Sequence, residues 1–180
     1  MNLIQHFVSD LKNIQQRARQ HIASGAVTIN EGSADEVVKM LNEVLATELV
    51  CALRYKRHYY AAQGIHSEAV KAEFLEHANE EQQHADEVAA RITQLNGEPD
   101  LNPETLMTRS HSQYDHEEDL IAMIKEDLVA ERIAIETYLE IVRWLGEEDP
   151  TTRRLIERIL EKEEEHAEDL VNLLDRLPHP

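Results

Sequence analysis

The chain has 180 residues, and its 36 Asp and Glu outnumber 18 Lys and Arg to give a formal net charge of -18. That length accommodates one domain with a real core rather than two, and so acidic a balance excludes a general affinity for nucleic acid while making cations the natural small partners. The one cysteine, Cys51, excludes an intrachain disulfide, and without a charged-then-apolar leader or an apolar run of about 18 residues the expectation is a cytoplasmic protein with no membrane span.

With only five glycines and five prolines, the chain predicts long helices. From about residue 2 to 22, Ile4, Phe7, Leu11, Ile14, Ala18 and Ile22 recur at helical spacing, so residues 1–33 read as an amphipathic helix and a linker. His6, Lys12, Arg17 and Arg19 on that helix are few against an acidic body, and the expected role is packing on a neighbouring subunit rather than DNA binding. Gly25 and Gly32 break the pattern, and Ser33 followed by Glu36 resembles a capping box that starts the next helix. Residues 34–180 then hold four long periodic segments, at about 34–62, 67–96, 115–145 and 150–177. Short links join the first to the second and the third to the fourth, which predicts two antiparallel hairpins. About 18 residues separate the second from the third, enough to cross the length of a bundle. The fold class is therefore all-α, a four-helix bundle with a long crossover and an additional N-terminal helix.

The inward seams of these helices follow from alternating steps of three and four. The first presents Val37, Leu41, Val44, Glu48, Cys51 and Tyr55, and the second presents Val70, Phe74, His77, Glu81, His84, Val88 and Leu95. The third gives Ile121, Ile124, Leu128, Glu131, Ile135, Tyr138, Val142 and Leu145; the fourth gives Thr152, Ile156, Ile159, Glu163, His166, Leu170, Leu173 and Leu177. Each seam thus carries a carboxylate into an apolar interior, where an unpaired charge is costly by several kcal/mol. Two divalent ions balance four carboxylates and accept two neutral imidazoles, so a two-metal site of Glu48, Glu81, His84, Glu131, Glu163 and His166 is the economical reading. Glu-x-x-His places both ligands on one helical face. By count the motif is weak, and its weight comes from phase: Glu48 precedes Glu81 by 33 positions and Glu131 precedes Glu163 by 32, so antiparallel hairpins bring all four to one level. Glu161, Glu164 and Glu165 stand at the wrong phase and read as solvated surface.

Thr-Glu-Leu-Val at 47–50, Glu-Glu-Gln-Gln-His-Ala-Asp at 80–86, Asp-Leu-Val-Ala-Glu at 127–131 and Glu-Glu-Glu-His at 163–166 resemble the ligand segments of bacterioferritins and other ferritin-like proteins, including Dps-like members with a bacterioferritin-type centre. The likeness spans about 37–177. It implies two irons per subunit, with Glu81 and Glu163 bridging and Glu48, Glu131, His84 and His166 terminal, and Tyr55 matches a tyrosine near the family's centre. The implied activity is ferroxidase: Fe(II) oxidised by O2 or H2O2 for storage or detoxification in a cage, with Mn or Zn as other metals such ligands accept. Gln82 stands where bacterioferritins place a haem-binding methionine, which argues against haem. Their fifth helix has no counterpart after Leu177, so a homododecamer is expected rather than a 24-subunit shell. The alternative is a freestanding di-metal enzyme, a manganese catalase or a rubrerythrin-like peroxidase. Against the latter, Ala134 stands where such proteins carry an extra glutamate, and a lone cysteine cannot form their Cys-x-x-Cys module.

Cys51 reads as a small buried side chain rather than a redox thiol, and His77 as a hydrogen-bonded core histidine rather than a relay for iron. Glu76 and Glu80 match positions resembling an inner-surface iron site of bacterioferritin. His58, His66, His111 and His116 read as solvated, and Tyr59, Tyr60 and Trp144 as packing residues without a chemical role.

Overall fold

The computed structural model describes residues 11–20, 31–64 and 67–177. Its helices are α1 (Leu11–Gln20), α2 (Glu31–Ala61), α3 (Ser67–Gln94), α4 (Leu106–Arg109), α5 (Leu120–Leu145) and α6 (Pro150–Arg176). Residues 2–10, 21 and 22 of the expected N-terminal helix lie outside the described residues, as does His66. Helix α1 buries none of its side chains, and Leu11 and Ile14 stand exposed.

Helices α2, α3, α5 and α6 form the expected bundle, with α2 antiparallel to α3 and α5 antiparallel to α6. Two starts differ from expectation. Helix α2 already runs at Glu31, so Ser33 lies inside it rather than capping it. Helix α5 begins at Leu120 and not near 115, because the Asp119 carboxylate accepts hydrogen bonds from the N–H groups of Ile121 and Ala122 at 3.1 and 3.0 Å and so satisfies the first turn. At the other end of the α5/α6 hairpin, Asp149 caps α6 through the Thr152 N–H, and the buried Arg91 guanidinium of α3 holds the same carboxylate at 3.0 and 3.2 Å. Gly97 turns the chain off α3 so close to α2 that a Cβ there would stand 2.6 Å from Val38 Cγ1, which excludes any larger residue without movement.

The crossover is tied along the outside of α2. Asn42 receives the Asp100 N–H at 2.7 Å, Thr47 Oγ1 accepts from the His111 N–H at 2.9 Å, Arg54 donates to Ser112 Oγ and the Gln113 carbonyl, and Arg57 donates to the carbonyls of His116 and Glu117. This cover explains why α2 buries Thr47 and Arg54 beside its predicted seam, while Leu45 joins the bundle core. On α5 the buried stripe is shifted: Met123, Asp127, Ala134 and Ile141 are buried, while the expected inward Ile121, Ile135 and Val142 are half-buried.

The apolar interior falls into two clusters. One gathers Leu41, Val44, Val88, Ile92, Tyr138 and Ile156, and the other Tyr55, Phe74, Met123, Ile124, Leu128 and Leu170. Between them lies a layer of buried polar side chains.

Candidate metal centre

That layer holds the six predicted ligands. Glu48 from α2, Glu81 and His84 from α3, Glu131 from α5 and Glu163 and His166 from α6 are all buried, none more than 6 % exposed. They form two overlapping groups whose ligand atoms lie within 4.8 Å of one another: Glu48, Glu81, His84 and Glu163 in one, Glu81, Glu131, Glu163 and His166 in the other. Glu81 and Glu163 belong to both, so they occupy the shared middle.

Both histidines turn Nδ1 inward. His84 Nδ1 stands 3.2 Å from Glu48 Oε2 and 3.2 Å from Glu163 Oε1, and His166 Nδ1 stands 3.5 Å from both Glu81 Oε1 and Glu163 Oε2. The far nitrogen of His166 is held by Glu80, Nε2 to Oε2 at 2.7 Å, which fixes the ring. The outer carboxylates are fixed from below and above by tyrosines. Tyr55 on α2 donates to Glu131 on α5, and reciprocally Tyr138 on α5 donates to Glu48 on α2. Tyr55 was expected near the centre, whereas Tyr138 was read only as a seam residue. The missed signal is its spacing, seven after Glu131 as Tyr55 is seven after Glu48.

Crowding four carboxyl groups sets the protonation. Burial, then the charges of Glu163 and Glu81, raises Glu48 and Glu131 well above the usual carboxyl value. Burial acts on Glu81 in the same sense, but the close His166 and His84 imidazoles outweigh it and hold that group low. Burial disfavours imidazolium at His84 and His166, and the surrounding glutamates reverse this, raising His84 strongly and pushing His166 up to about 12. Protons on these groups thus occupy the place of positive charge. Protonation does not satisfy the site, however: Glu81 Oε1, Glu131 Oε2, Glu163 Oε1 and His166 Nδ1 are buried without a hydrogen-bond partner among the described residues. Buried polar atoms are ordinarily paired, and this set of carboxylate oxygens and imidazole nitrogens suits Fe, Mn or Zn. The residues fit a pair of such ions.

The surroundings contain groups that were read differently from sequence. His58 is fully buried, not solvated: its Nδ1 meets Asp127 Oδ2 at 2.8 Å, and Asp127 also accepts from Arg54 Nε at 2.8 Å. His111 is likewise half-buried against Thr47, with Nε2 3.6 Å from Glu43. His116 is exposed, as expected. His77 is buried but makes no hydrogen bond among the described residues; it stacks on His166 with ring centroids 4.1 Å apart and meets Tyr55 edge-on at 5.2 Å, and burial followed by His166 pushes it down to about 3. Burial raises the Cys51 thiol well above its usual value, which keeps it a neutral packing group. Glu76 is exposed, and Tyr60 and Trp144 are largely exposed.

Comparison with known proteins decides the lineage: residues 38–179 match the family model for the ferritin-like domain. The chain belongs to the ferritin-like family. Among solved structures, this family member is similar to a dodecameric thioferritin, the bacterioferritin-related protein of Bacteroides fragilis, with 32% identity, a TM-score of 0.76, and coverage of 79% of this chain and 86% of that one. It is also similar to the Desulfovibrio desulfuricans bacterioferritin, whose diiron site has been seen in different catalytic states, with 25% identity, a TM-score of 0.72 and coverage of 83% and 84%. A DNA protection during starvation protein of Halobacterium salinarum is 26% identical over 163 residues, 88% of this chain and 89% of that protein. No helix among the described residues is long and apolar enough to cross a membrane.

Proposed function

We propose that this ferritin-like protein is a ferroxidase that takes two Fe(II) ions as substrate at Glu48, Glu81, His84, Glu131, Glu163 and His166, oxidises them, and passes Fe(III) into the interior of an oligomeric cage. The observation that carries the reading is the pair of overlapping buried ligand groups sharing Glu81 and Glu163, with four donor atoms left without a hydrogen bond. Glu81 and Glu163 are assigned as bridges, Glu48 with His84 and Glu131 with His166 as terminal pairs. Two Fe(II) supply two electrons, which with two protons reduce O2 to H2O2 or H2O2 to two waters. Tyr55 and Tyr138 orient the terminal carboxylates, Glu80 holds the His166 ring, and the apolar clusters on either side keep bulk water away.

The cage is proposed to be a homododecamer, by similarity to the dodecameric thioferritin. Residues 34–180 are assigned as the bundle domain and 1–33 as an appended helix and linker, in a cytoplasmic protein without haem, Gln82 standing half-buried on α3 where the resemblance calls for a haem ligand. The acidic chain and the unremarkable α1 give no support for DNA as a partner. Native mass spectrometry together with iron analysis after aerobic loading tests the whole reading. Tens of irons per subunit in a shell of about twelve subunits is the expected result, whereas two or fewer per subunit in a small oligomer would make the protein a freestanding di-metal enzyme.

A further inference from the structure

The ligand ladder does not stop at the dinuclear centre. On α3, His77 and Glu73 precede Glu81 by one and two turns respectively, and on the antiparallel α6, Asp169 follows His166 by three positions, so the same two faces continue toward one end of the bundle. We propose that Glu73, His77 and Asp169 form a third, mononuclear site for a divalent transition-metal cation, separate from the dinuclear centre and joined to it through the stacked rings of His77 and His166. One ligand atom from each of the three lies within 4.8 Å of the others. Donors around such an ion stand about 2.0–2.2 Å from it, hence roughly 3 to 3.5 Å from each other, and the remaining gap closes by rotation of Glu73 and Asp169. Both have that freedom, Glu73 being half-buried and the Asp169 side chain 48% exposed.

Two half-exposed carboxylates alone would be an ordinary solvated pair. The independent observation is His77. Its side chain is 2% exposed, it makes no hydrogen bond among the described residues, its Nδ1 is buried and unpartnered, and its Nε2 faces Asp169 Oδ2 at 3.7 Å, too far for a hydrogen bond but open for an ion between them. Tyr55 edge-on and His166 in a stack hold the ring in that orientation, so no rearrangement of the core is needed for it to coordinate. Glu81 and Glu163 are not part of this group, and none of the three residues belongs to the dinuclear set.

The test is anomalous diffraction at the cobalt edge from crystals of the assembled protein equilibrated with Co(II), paired with Co(II) stoichiometry in solution by calorimetry. Wild type should show a peak bounded by Glu73, His77 and Asp169 beside two at the dinuclear centre. The E73Q/D169N variant, altered only at accessible side chains, should lose that peak and one Co(II) per subunit while keeping the other two. Peaks at the dinuclear centre alone would overturn this inference and leave the ferroxidase reading intact. A peak at Glu73, His77 and Asp169 with none between Glu81 and Glu163 would uphold this site and sink that reading. Persistence of the peak in E73Q/D169N would also overturn the assignment.

Discussion

Tyr138 and Tyr55 act on the outer carboxylates as matched partners, each donating its hydroxyl proton across the bundle to a glutamate on the opposite helix. A carboxyl group that loses such a donor loses its orientation toward a metal, and the removal of outer partners of this kind commonly changes metal affinity by about 10- to 100-fold. Tyr138→Phe should therefore weaken anaerobic Fe(II) binding by roughly that factor, and Tyr55→Phe should do the same, because each serves one terminal pair. Calorimetric titration of both variants checks this; wild-type affinity in Tyr138→Phe would show that Glu48 needs no such support. The gathering of the six buried side chains was legible from sequence because helical phase alone carries them inward: Glu48 to Tyr55 and Glu163 to His166 need only steps of three and four. Asp127 was not legible, since it stands one residue off its seam and its partners Arg54 and His58 are 73 and 69 positions away. His77 was placed on the right face, but its lack of a hydrogen bond depends on what the neighbouring helix presents, which no local pattern reports.

At the scale of helices, the ends and the outer faces are where pattern and structure part. The periodicity of α5 fades into Asp115, His116, Glu117 and Glu118, and the helix starts only where Asp119 caps it and apolar residues resume. Helix α2 is buried on more than its seam because the crossover is bonded to its outer side from Asn42 to Arg57, a long-range contact without a sequence signature. The α6 cap shows how such a contact carries stability. Burial alone would raise Asp149, but the Thr152 hydroxyl and N–H and the Arg91 guanidinium outweigh it and hold the carboxyl below its usual value. A group depressed in the folded state contributes stability that is complete above its unfolded pKa, about 3.9, and is lost as pH falls through the lower folded value. Asp149→Asn, which keeps a cap but removes the charge facing Arg91, should cost about 1.5–3 kcal/mol at neutral pH, lowering Tm by roughly 3–12 °C for a chain of this size. That difference should shrink below about pH 4, where the wild-type carboxyl also becomes neutral. Thermal unfolding of both proteins at pH 7 and pH 3 measures it, and a difference that is unchanged or larger at pH 3 would contradict this account of the cap.

Across the whole molecule, two apolar clusters enclose one polar layer, and the hairpin geometry that equalises the heights of Glu48, Glu81, Glu131 and Glu163 is what gathers charge where water is excluded. The number of helices, their pairing and the long crossover followed from link lengths and phase, while the expected homododecamer rested on the family resemblance alone. The dinuclear reading concentrates its dependence on the two glutamates common to both ligand groups. Stopped-flow measurement of aerobic Fe(II) oxidation by Glu81→Ala and Glu163→Ala, with circular dichroism to verify that the helices persist, tests it most directly. The account predicts that the rapid phase seen in wild type disappears in both variants, leaving the slow oxidation of iron in buffer; an undiminished rapid phase in either would contradict it.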